Sequence, residues 1–199
     1  MINAIILAAG ESKRMGKLKP LLRFNDKTFL EQIISVLKAS VADIITVVLG
    51  AEAEAIKKSV DLSAINVVIN KDYQKGQLSS LIAALKDTPE QTEAILLFLV
   101  DTPFITKQVV NKIIRKFKET NQPIIVPVFN KKRGHPTLFS RSLFPELLSA
   151  PEDQGARYVV YSNEEKTLEL ETSESGILVS IDTPDDYKFY FGDDPSEPK

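Results

Sequence analysis

Thirteen residues near the start of the chain, LAAGESKRMGKLK (7–19), combine two glycines with four cations directly after an apolar run. Glycine lets backbone N–H groups approach a ligand, and cations beside them form charge-assisted hydrogen bonds that contribute roughly 1.5–3 kcal/mol each. Two familiar phosphate loops do not match, because five residues rather than four separate Gly10 from Gly16 and no G-x-G-x-x-G is present. The loop is predicted to bind an anion. From its charge alone, a solvated basic loop is the alternative.

Two aspartates stand where apolar runs end, each at the head of a DTP triplet: Asp101 after AILLFLV and Asp182 after ILVSI. A buried carboxylate without a partner is costly, so a cation or strong donors should accompany it. Magnesium takes oxygen ligands, commonly one or two carboxylates together with phosphate oxygens and water. We therefore predict that the two aspartates bind Mg²⁺. The second triplet has an ordinary alternative, in which Thr183 caps a helix and Pro184 is its first residue.

The scaffold that positions these residues is predicted from hydrophobic periodicity. Short apolar runs rich in Ile and Val alternate with stretches of helical period. Helices are expected after Thr28, which forms a capping box with Glu31, after Thr106, and after Ser79, for which a capping role is favoured. The runs predicted as strands are 3–8, 43–49, 65–69, 94–100, 123–129 and 177–181.

This alternation predicts an α/β fold, a three-layer α/β/α, Rossmann-like arrangement with a mostly parallel sheet. We expect one domain over residues 1–191 and a flexible acidic tail over 192–199. Ligands of such sheets bind beyond the carboxyl ends of the strands. The informative loops therefore follow residues 8, 69, 100 and 181.

Composition excludes several classes of function. The net charge of −2 and the pI near 5.6 argue against nucleic-acid binding through bulk charge. The absence of cysteine excludes a disulfide framework, a thiolate nucleophile and a Cys-based zinc site. No apolar stretch approaches the ~20 residues that a membrane span needs. We expect a cytoplasmic protein that binds neither nucleic acid nor membrane.

The first loop also has the form LAAG-x-S-x-R-M-G-x-x-K, which resembles the signature of the nucleotidyltransferases that activate sugar phosphates and cofactors. Other segments resemble the branch of molybdenum cofactor cytidylyltransferases, and the matches run in order from residue 3 to 187. The segments are D-x-P at 101–103, DTP at 182–184 with Asp186, NKDYQKGQLSSL at 70–81, RGHP at 133–136 and DQGAR at 153–157. The positions that depart from the family pattern are Gln77, Leu78, Glu152 and Ser180.

The resemblance implies a nucleotide-diphospho-sugar transferase-like fold and a role for each matching residue. Arg14, Lys19 and Asp101 are implied to be catalytic, and Asp101 and Asp182 to be the Mg²⁺ ligands. The implied nucleotide-binding residues are Leu7, Ala8, Ala9, Gly10, Arg14, Lys19, Asn70, Gly76 and Ser80. The implied acceptor-binding residues are Gly134, His135 and Arg157.

The implied reaction is transfer of a nucleoside monophosphate to a phosphorylated acceptor, with release of pyrophosphate. CTP is the favoured donor, because Ala9 follows the cytidylyl pattern and a purine would need more room beside the strand. Molybdopterin is the implied acceptor, and a recipient molybdoenzyme or its chaperone is a possible partner. The alternatives are a sugar phosphate or lactyl phosphate as acceptor, a non-catalytic module that binds a nucleotide or pterin, and a flavodoxin-like binding protein.

Overall fold

A computed structural model describes residues 1–192. The predicted tail over 192–199 therefore lies outside the described residues except for Gly192, which follows the last helix. The strands are β1 (Ile2–Ala8), β2 (Arg23–Phe24), β3 (Lys27–Thr28), β4 (Ile44–Leu49), β5 (Asn66–Ile69), β6 (Ala94–Leu99), β7 (Ile124–Phe129), β8 (Lys132–Arg133), β9 (Thr137–Ser140) and β10 (Thr167–Glu171). The helices are α1 (Phe29–Lys38), α2 (Ala53–Ser59), α3 (Gln77–Asp87), α4 (Lys107–Thr120), α5 (Phe144–Ser149), α6 (Ala156–Ser162) and α7 (Pro184–Phe191).

Within residues 1–192, eight strands form one mostly parallel sheet in the order β10-β7-β9-β6-β1-β4-β5, with β8 paired to β7. Strand β1 lies between β6 and β4 and is parallel to both, so that Leu7 is opposite Leu99 and Val48. Strand β9 is antiparallel to β6 and β7. The loops after β1 and β6 therefore leave the same edge of the sheet side by side.

Alternate side chains of β1 enter two separate cores, which confirms the three-layer prediction. Ile6 and Ala8 pack with residues of α1, α2 and α4, whereas Ile5 and Leu7 pack with residues of α3, α5 and α6. All seven residues of β1 are buried. Each fully buried Ile or Leu contributes roughly 1.5–3 kcal/mol, so this strand is a rigid base for the loop that follows it.

Local signals in the sequence place several helix ends correctly. Thr28 accepts a hydrogen bond from Glu31 N while Glu31 Oε2 accepts one from Thr28 N, which is the predicted capping box of α1. Thr106 caps α4 through Val109 N. The predicted cap of α3 is wrong, because this helix begins at Gln77 and Ser79 lies in its first turn.

The prediction of a strand over 177–181 is also wrong. Residues Ser175–Leu178 form a 3₁₀ turn, and the rest of the segment is extended without joining the sheet. Ile177 and Ile181 are nevertheless fully buried, in two different hydrophobic clusters. An apolar run can thus be buried as a crossing segment, and its hydrophobicity alone does not distinguish it from a strand.

Residues 1–192 contain no helix that combines the length and hydropathy needed to cross a membrane.

Candidate nucleotidyl-transfer site

A cavity of about 330 Å³ opens at the carboxyl ends of β1 and β6. Most of its wall comes from the loop that follows β1, and the rest comes from the start of α3 and the end of β6. The residues that line it are Leu7, Ala8, Ala9, Gly10, Glu11, Ser12, Lys13, Arg14, Lys19, Pro20, Tyr73, Gly76, Gln77, Ser80, Leu99, Val100 and Asp101. Of the nine residues predicted to bind the nucleotide, all but Asn70 are in this wall.

The loop after β1 is folded around Ser12 and fixed by Met15. The carbonyl of Ser12 accepts hydrogen bonds from Met15 N and Gly16 N at 3.0 Å each, and its hydroxyl accepts one from Lys19 N at 3.0 Å. The Met15 side chain is 2% exposed and packs in the cluster that contains Ile181 and Tyr187. The buried Met15 thus anchors the polar loop that carries the cations.

The structure joins the loop to both DTP triplets through Lys19. Its Nζ lies 2.9 Å from Asp101 Oδ2 and 2.6 Å from Asp182 Oδ1, and the residue is only 8% exposed. Arg14, which is largely exposed, adds a contact of 2.9 Å from its Nη2 to the same oxygen of Asp182. Two cations and two carboxylates therefore form one charged cluster, of which Arg14, Lys19 and Asp101 line the cavity.

Asp182 reaches this cluster although no strand precedes it. Ile181 N donates to the carbonyl of Asp101 at 2.8 Å, which ties the two triplets together through the backbone. Thr183 is the N-cap of α7, and Asp186 completes a capping box. Asp186 Oδ2 also accepts from Asp182 N at 3.0 Å. The helix-cap alternative for this triplet is therefore confirmed for Thr183, and Asp182 remains available to the site.

Comparison with known proteins agrees with this geometry. The model of the MobA-like NTP transferase domain matches residues 4–167. This chain belongs to that family. It is therefore a nucleotidyltransferase.

Individual relatives resemble this MobA-like chain over most of its length. It is 32% identical to the molybdenum cofactor cytidylyltransferase of Escherichia coli (strain K12), over 94% of this chain and 93% of the relative. It is 28% identical to the nicotine blue oxidoreductase of Paenarthrobacter nicotinovorans, over 78% and 79% of the two chains. The crystal structure of Rv0371c from Mycobacterium tuberculosis in complex with manganese superimposes with a TM-score of 0.83 at 29% identity, over 96% and 98% of the chains.

The carboxylates of this MobA-like transferase fit a hard divalent cation. Asp101 Oδ1 is buried without a hydrogen-bond partner among residues 1–192, whereas buried acceptors ordinarily have one. The same part of the chain contains no cluster of three or more acidic, His or Cys side chains that could hold a metal. Magnesium bound here would thus take one or two carboxylates and complete its shell with phosphate oxygens and water, which is its usual preference.

Electrostatics keep the second carboxylate ionised. Burial acts to raise the pKa of Asp182, but the hydrogen bond and charge of Lys19, together with Arg14, outweigh it and hold the pKa below its ordinary value. Ser180 donates a long hydrogen bond of 3.3 Å to Asp182 Oδ2. Ser180 stands where the family motif often carries an acidic residue, and in this chain it supports the neighbouring aspartate instead.

Asn70 lies behind the cavity and organises the loop before α3. It is 4% exposed, and its Nδ2 donates to Ser79 Oγ at 2.9 Å and to Ser80 Oγ at 3.0 Å. Its Oδ1 accepts from Asp72 N at 2.9 Å. Ser80 is thereby oriented at the wall, and Ser79 donates to the carbonyl of Gly76 at 2.7 Å.

Sequence reasoning overlooked Gly50, which lies against two residues of the cavity wall. A Cβ at Gly50 would lie 2.7 Å from Tyr73 Cβ, 2.8 Å from the carbonyl oxygen of Ala9 and 2.9 Å from Ala9 Cβ. The carbonyl of Ala9 is also fixed by Ala51 N at 3.0 Å. Glycine at the end of an apolar run was the available signal, because such a position often marks a close backbone approach.

Two of the three predicted acceptor residues lie beside the segment that leads to Asp182. Gly134 cannot carry a side chain, because a Cβ would lie 2.4 Å from the carbonyl oxygen of Ile177. His135 N donates to that same oxygen at 2.9 Å, and its Nδ1 is buried without a partner among the described residues. Burial lowers the pKa of His135 more than the charge of Asp101 raises it, so the imidazole is neutral at pH 7.

The third predicted acceptor residue, Arg157, is apart from this group. It is exposed in the first turn of α6, where its Nε donates to the carbonyl of Gln154 at 3.3 Å. It does not line the cavity.

Proposed function

We propose that this chain transfers the CMP group of CTP to a phosphorylated pterin of the molybdopterin type and releases pyrophosphate. The proposal includes Mg²⁺ as the cofactor, one catalytic domain over residues 1–191, a cytoplasmic location, and a recipient molybdoenzyme or its chaperone as partner. The cytidylyltransferase named among the relatives, which is similar over 94% of this chain, supports the substrate pair.

One observation carries the proposal: Lys19 lines the cavity and contacts both aspartates. A triphosphate that occupies the cavity would therefore lie next to the two carboxylates. Asp101 and Asp182 would hold Mg²⁺, which when bound neutralises charge on the triphosphate and on the leaving pyrophosphate. Asp101 Oδ1, which has no hydrogen-bond partner among residues 1–192, could supply an oxygen for such a role.

The residues of the chain act by positioning and by charge. Phosphoryl transfer needs the attacking and leaving oxygens in line, with little covalent chemistry from the protein. Arg14 and Lys19 would stabilise the negative charge that develops on the oxygens of the α-phosphate and of the leaving group. The attacking group is a phosphate oxygen of the acceptor that is already ionised at neutral pH, so no side chain is assigned as a general base.

The choice of CTP rests on the packing of Ala9. Ala9 is 4% exposed at the cavity wall, and it lies so close to Gly50 that a Cβ at Gly50 would be 2.9 Å from Ala9 Cβ. A wall packed this closely favours the smaller pyrimidine ring over a purine. Gln77 lies in the same wall and departs from the family pattern, but one exchanged hydrogen bond is typically worth only about 1 kcal/mol net. We therefore expect CTP to be preferred over GTP in kcat/KM.

The test is pyrophosphate release with CTP, GTP, ATP and UTP, each with and without molybdopterin, followed by competition between CTP and GTP in one reaction. The proposal requires turnover that depends on molybdopterin and is fastest with CTP. Preference for GTP would remove the cytidylyl assignment. Turnover only with a sugar phosphate or lactyl phosphate would replace the acceptor. Nucleotide binding without any turnover would contradict catalysis.

A further inference from the structure

Lys19 occupies the position between two carboxylates that the proposed function gives to a metal ion. Its ammonium is within 2.9 Å of an oxygen on each aspartate, and only 8% of the residue is exposed. A buried charge of this kind is tolerated only when it is paired. In the structure, therefore, the lysine is the counter-ion that allows two carboxylates to lie together.

An ammonium and a divalent cation would compete for the same two carboxylates. Because Nζ of Lys19 lies within 2.9 Å of both, a cation held by Asp101 and Asp182 would stand next to a like charge, and the two would repel each other. The backbone of Lys19 is fixed by its hydrogen bond to Ser12 Oγ, whereas the side chain has a flexible four-carbon stem. Exchange therefore requires a swing of the side chain alone.

The ammonium of Lys19 has a second possible anionic partner in the cavity. Lys19 lines the cavity wall that is assigned to the triphosphate, so its Nζ can leave the carboxylates and still be paired with an anion. Of the two aspartates, Arg14 pairs with Asp182 and not with Asp101, and it is largely exposed, so it does not substitute for Lys19 at Asp101.

We propose that Lys19 is an exchangeable counter-ion, which neutralises Asp101 and Asp182 when no substrate is bound and moves to the triphosphate when the nucleotide enters. The inference rests on the proposed function. Its consequence is positive coupling: the divalent cation binds weakly to the free protein, and a nucleotide strengthens that binding because it takes the lysine away. By linkage, the cation strengthens nucleotide binding by the same factor.

The first test measures Mn²⁺ binding to the protein without nucleotide, by the electron paramagnetic resonance signal of free Mn²⁺. Lys19→Met should bind Mn²⁺ at least about tenfold more tightly than the unaltered chain, because it removes a charge that competes within 3 Å. Lys13→Met is the matched control, since Lys13 is in the same loop but pairs with Glu11. It should bind Mn²⁺ as the unaltered chain does. Adding Asp101→Asn to Lys19→Met should abolish the gain.

A second test uses the unaltered chain, so the inference can still be tested if Lys19→Met does not fold. The thermal midpoint of the unaltered chain is measured with Mn²⁺ alone, with a CTP analogue that has a methylene group between its α- and β-phosphorus atoms, and with both. The two together should raise the midpoint by more than the sum of the separate shifts.

Equal Mn²⁺ affinity in Lys19→Met and the unaltered chain, or additive thermal shifts, would overturn the inference. If the unaltered chain releases pyrophosphate but either of these results is found, the proposed function stands and only the exchange of Lys19 is rejected. Conversely, Lys19→Met could bind Mn²⁺ more tightly while the unaltered chain releases pyrophosphate from no nucleotide. That result would support the competition at the carboxylates and remove the proposed function.

Discussion

The two DTP triplets are identical in sequence and differ in almost every structural respect. Asp101 follows a central strand, and Thr102 closes a tight turn through hydrogen bonds from its N and its Oγ1 to the carbonyl of Leu99. Asp182 follows an irregular segment, and its threonine opens a helix. The same three residues thus present a carboxylate to the same lysine in two ways, one through sheet geometry and one through helix capping.

The difference indicates unequal roles. Asp101 has a buried oxygen without a partner among residues 1–192, while both oxygens of Asp182 contact other side chains. Strand β6, which leads to Asp101, is paired on both sides, whereas the segment before Asp182 is held by a few hydrogen bonds from loops. We infer that the first triplet carries the chemistry and that the second completes and orients it.

The sharpest test compares Asp101→Asn with Asp182→Asn. We expect kcat/KM to fall about 10³-fold or more for the first and about tenfold for the second, because of the two aspartates it is Asp101 that has a buried oxygen without a partner in the described part of the chain. The free energy of unfolding of Asp101→Asn should change by less than about 1 kcal/mol, since asparagine has nearly the shape of aspartate and Lys19 still pairs with Asp182. Steady-state pyrophosphate release and urea unfolding give the two quantities. Equal losses of activity would contradict the ranking of the triplets.

The next largest losses of activity are expected for the two cations that contact the triplet aspartates. Lys19→Met and Arg14→Met should each lower kcat/KM by about 10²-fold, through lost stabilisation of the transition state, with the larger loss at Lys19 because it contacts both aspartates. Lys13→Met removes the same charge from the same cavity wall, but Lys13 pairs with Glu11 and with neither triplet aspartate, so its smaller expected loss measures the general attraction of the loop for phosphate. Small, equal increases in KM alone for all three would indicate a loop that merely attracts phosphate.

The helix cap of the second triplet should affect stability more than chemistry. Thr183→Ala removes the side chain that accepts from Asp186 N, and such a loss costs about 1 kcal/mol of unfolding free energy. Thr106→Ala is a matched control, since Thr106 caps α4 through Val109 N and contacts neither triplet aspartate. Both variants should lose similar stability in urea unfolding, but only Thr183→Ala should lose activity, by several-fold. If Thr106→Ala lost as much activity, a general loss of stability would explain both.

The smallest effect concerns pH. The pKa of Asp182 lies below its ordinary value of 3.8, so the folded chain releases this proton more readily than the unfolded chain. The resulting stabilisation is complete above about pH 4 and is lost as pH falls through the folded pKa. In urea unfolding from pH 6 to pH 3, Asp182→Asn should be less stable than the unaltered chain at the upper end, and the difference should narrow toward the lower end. A constant difference would mean that Lys19 and Arg14 do not act on this carboxyl.

The sequence was most informative where burial is continuous. Strands β1, β4, β6 and β7 lie within one residue of their predicted bounds, because parallel strands covered on both faces are unbroken apolar runs. The edge strand β5 was found as accurately, although its residues are exposed or half-buried. Strand β9, with four residues, and strand β10, with an alternating pattern, were missed because neither forms a long apolar run. The segment 177–181 was mistaken for a strand for the converse reason, since its apolar residues fill two clusters without pairing in the sheet.

The candidate site could be predicted residue by residue but not as a set of contacts. The glycines and cations of the first loop and the two aspartates were visible in the sequence, and the resemblance gave them roles. The salt bridges of Lys19 to both aspartates span 82 and 163 positions, and no local pattern encodes such a distance. The close approach at Gly50 was equally hidden, because it depends on Ala9 and Tyr73, which come from other loops and both lie against Gly50.

Met15 packs beside Ile181 and Tyr187, and this contact links the site to the order in which the chain is made. Residues 19 and 182 are 163 positions apart, and ribosomes add about 5–20 residues per second. For about 10 to 30 s, therefore, a nascent chain has Lys19 and later Asp101, but neither Asp182 nor the Ile181 and Tyr187 side chains that pack with Met15. The two triplets can meet only after residue 182 has been added, so a growing chain shorter than this has Lys19 without its second carboxylate.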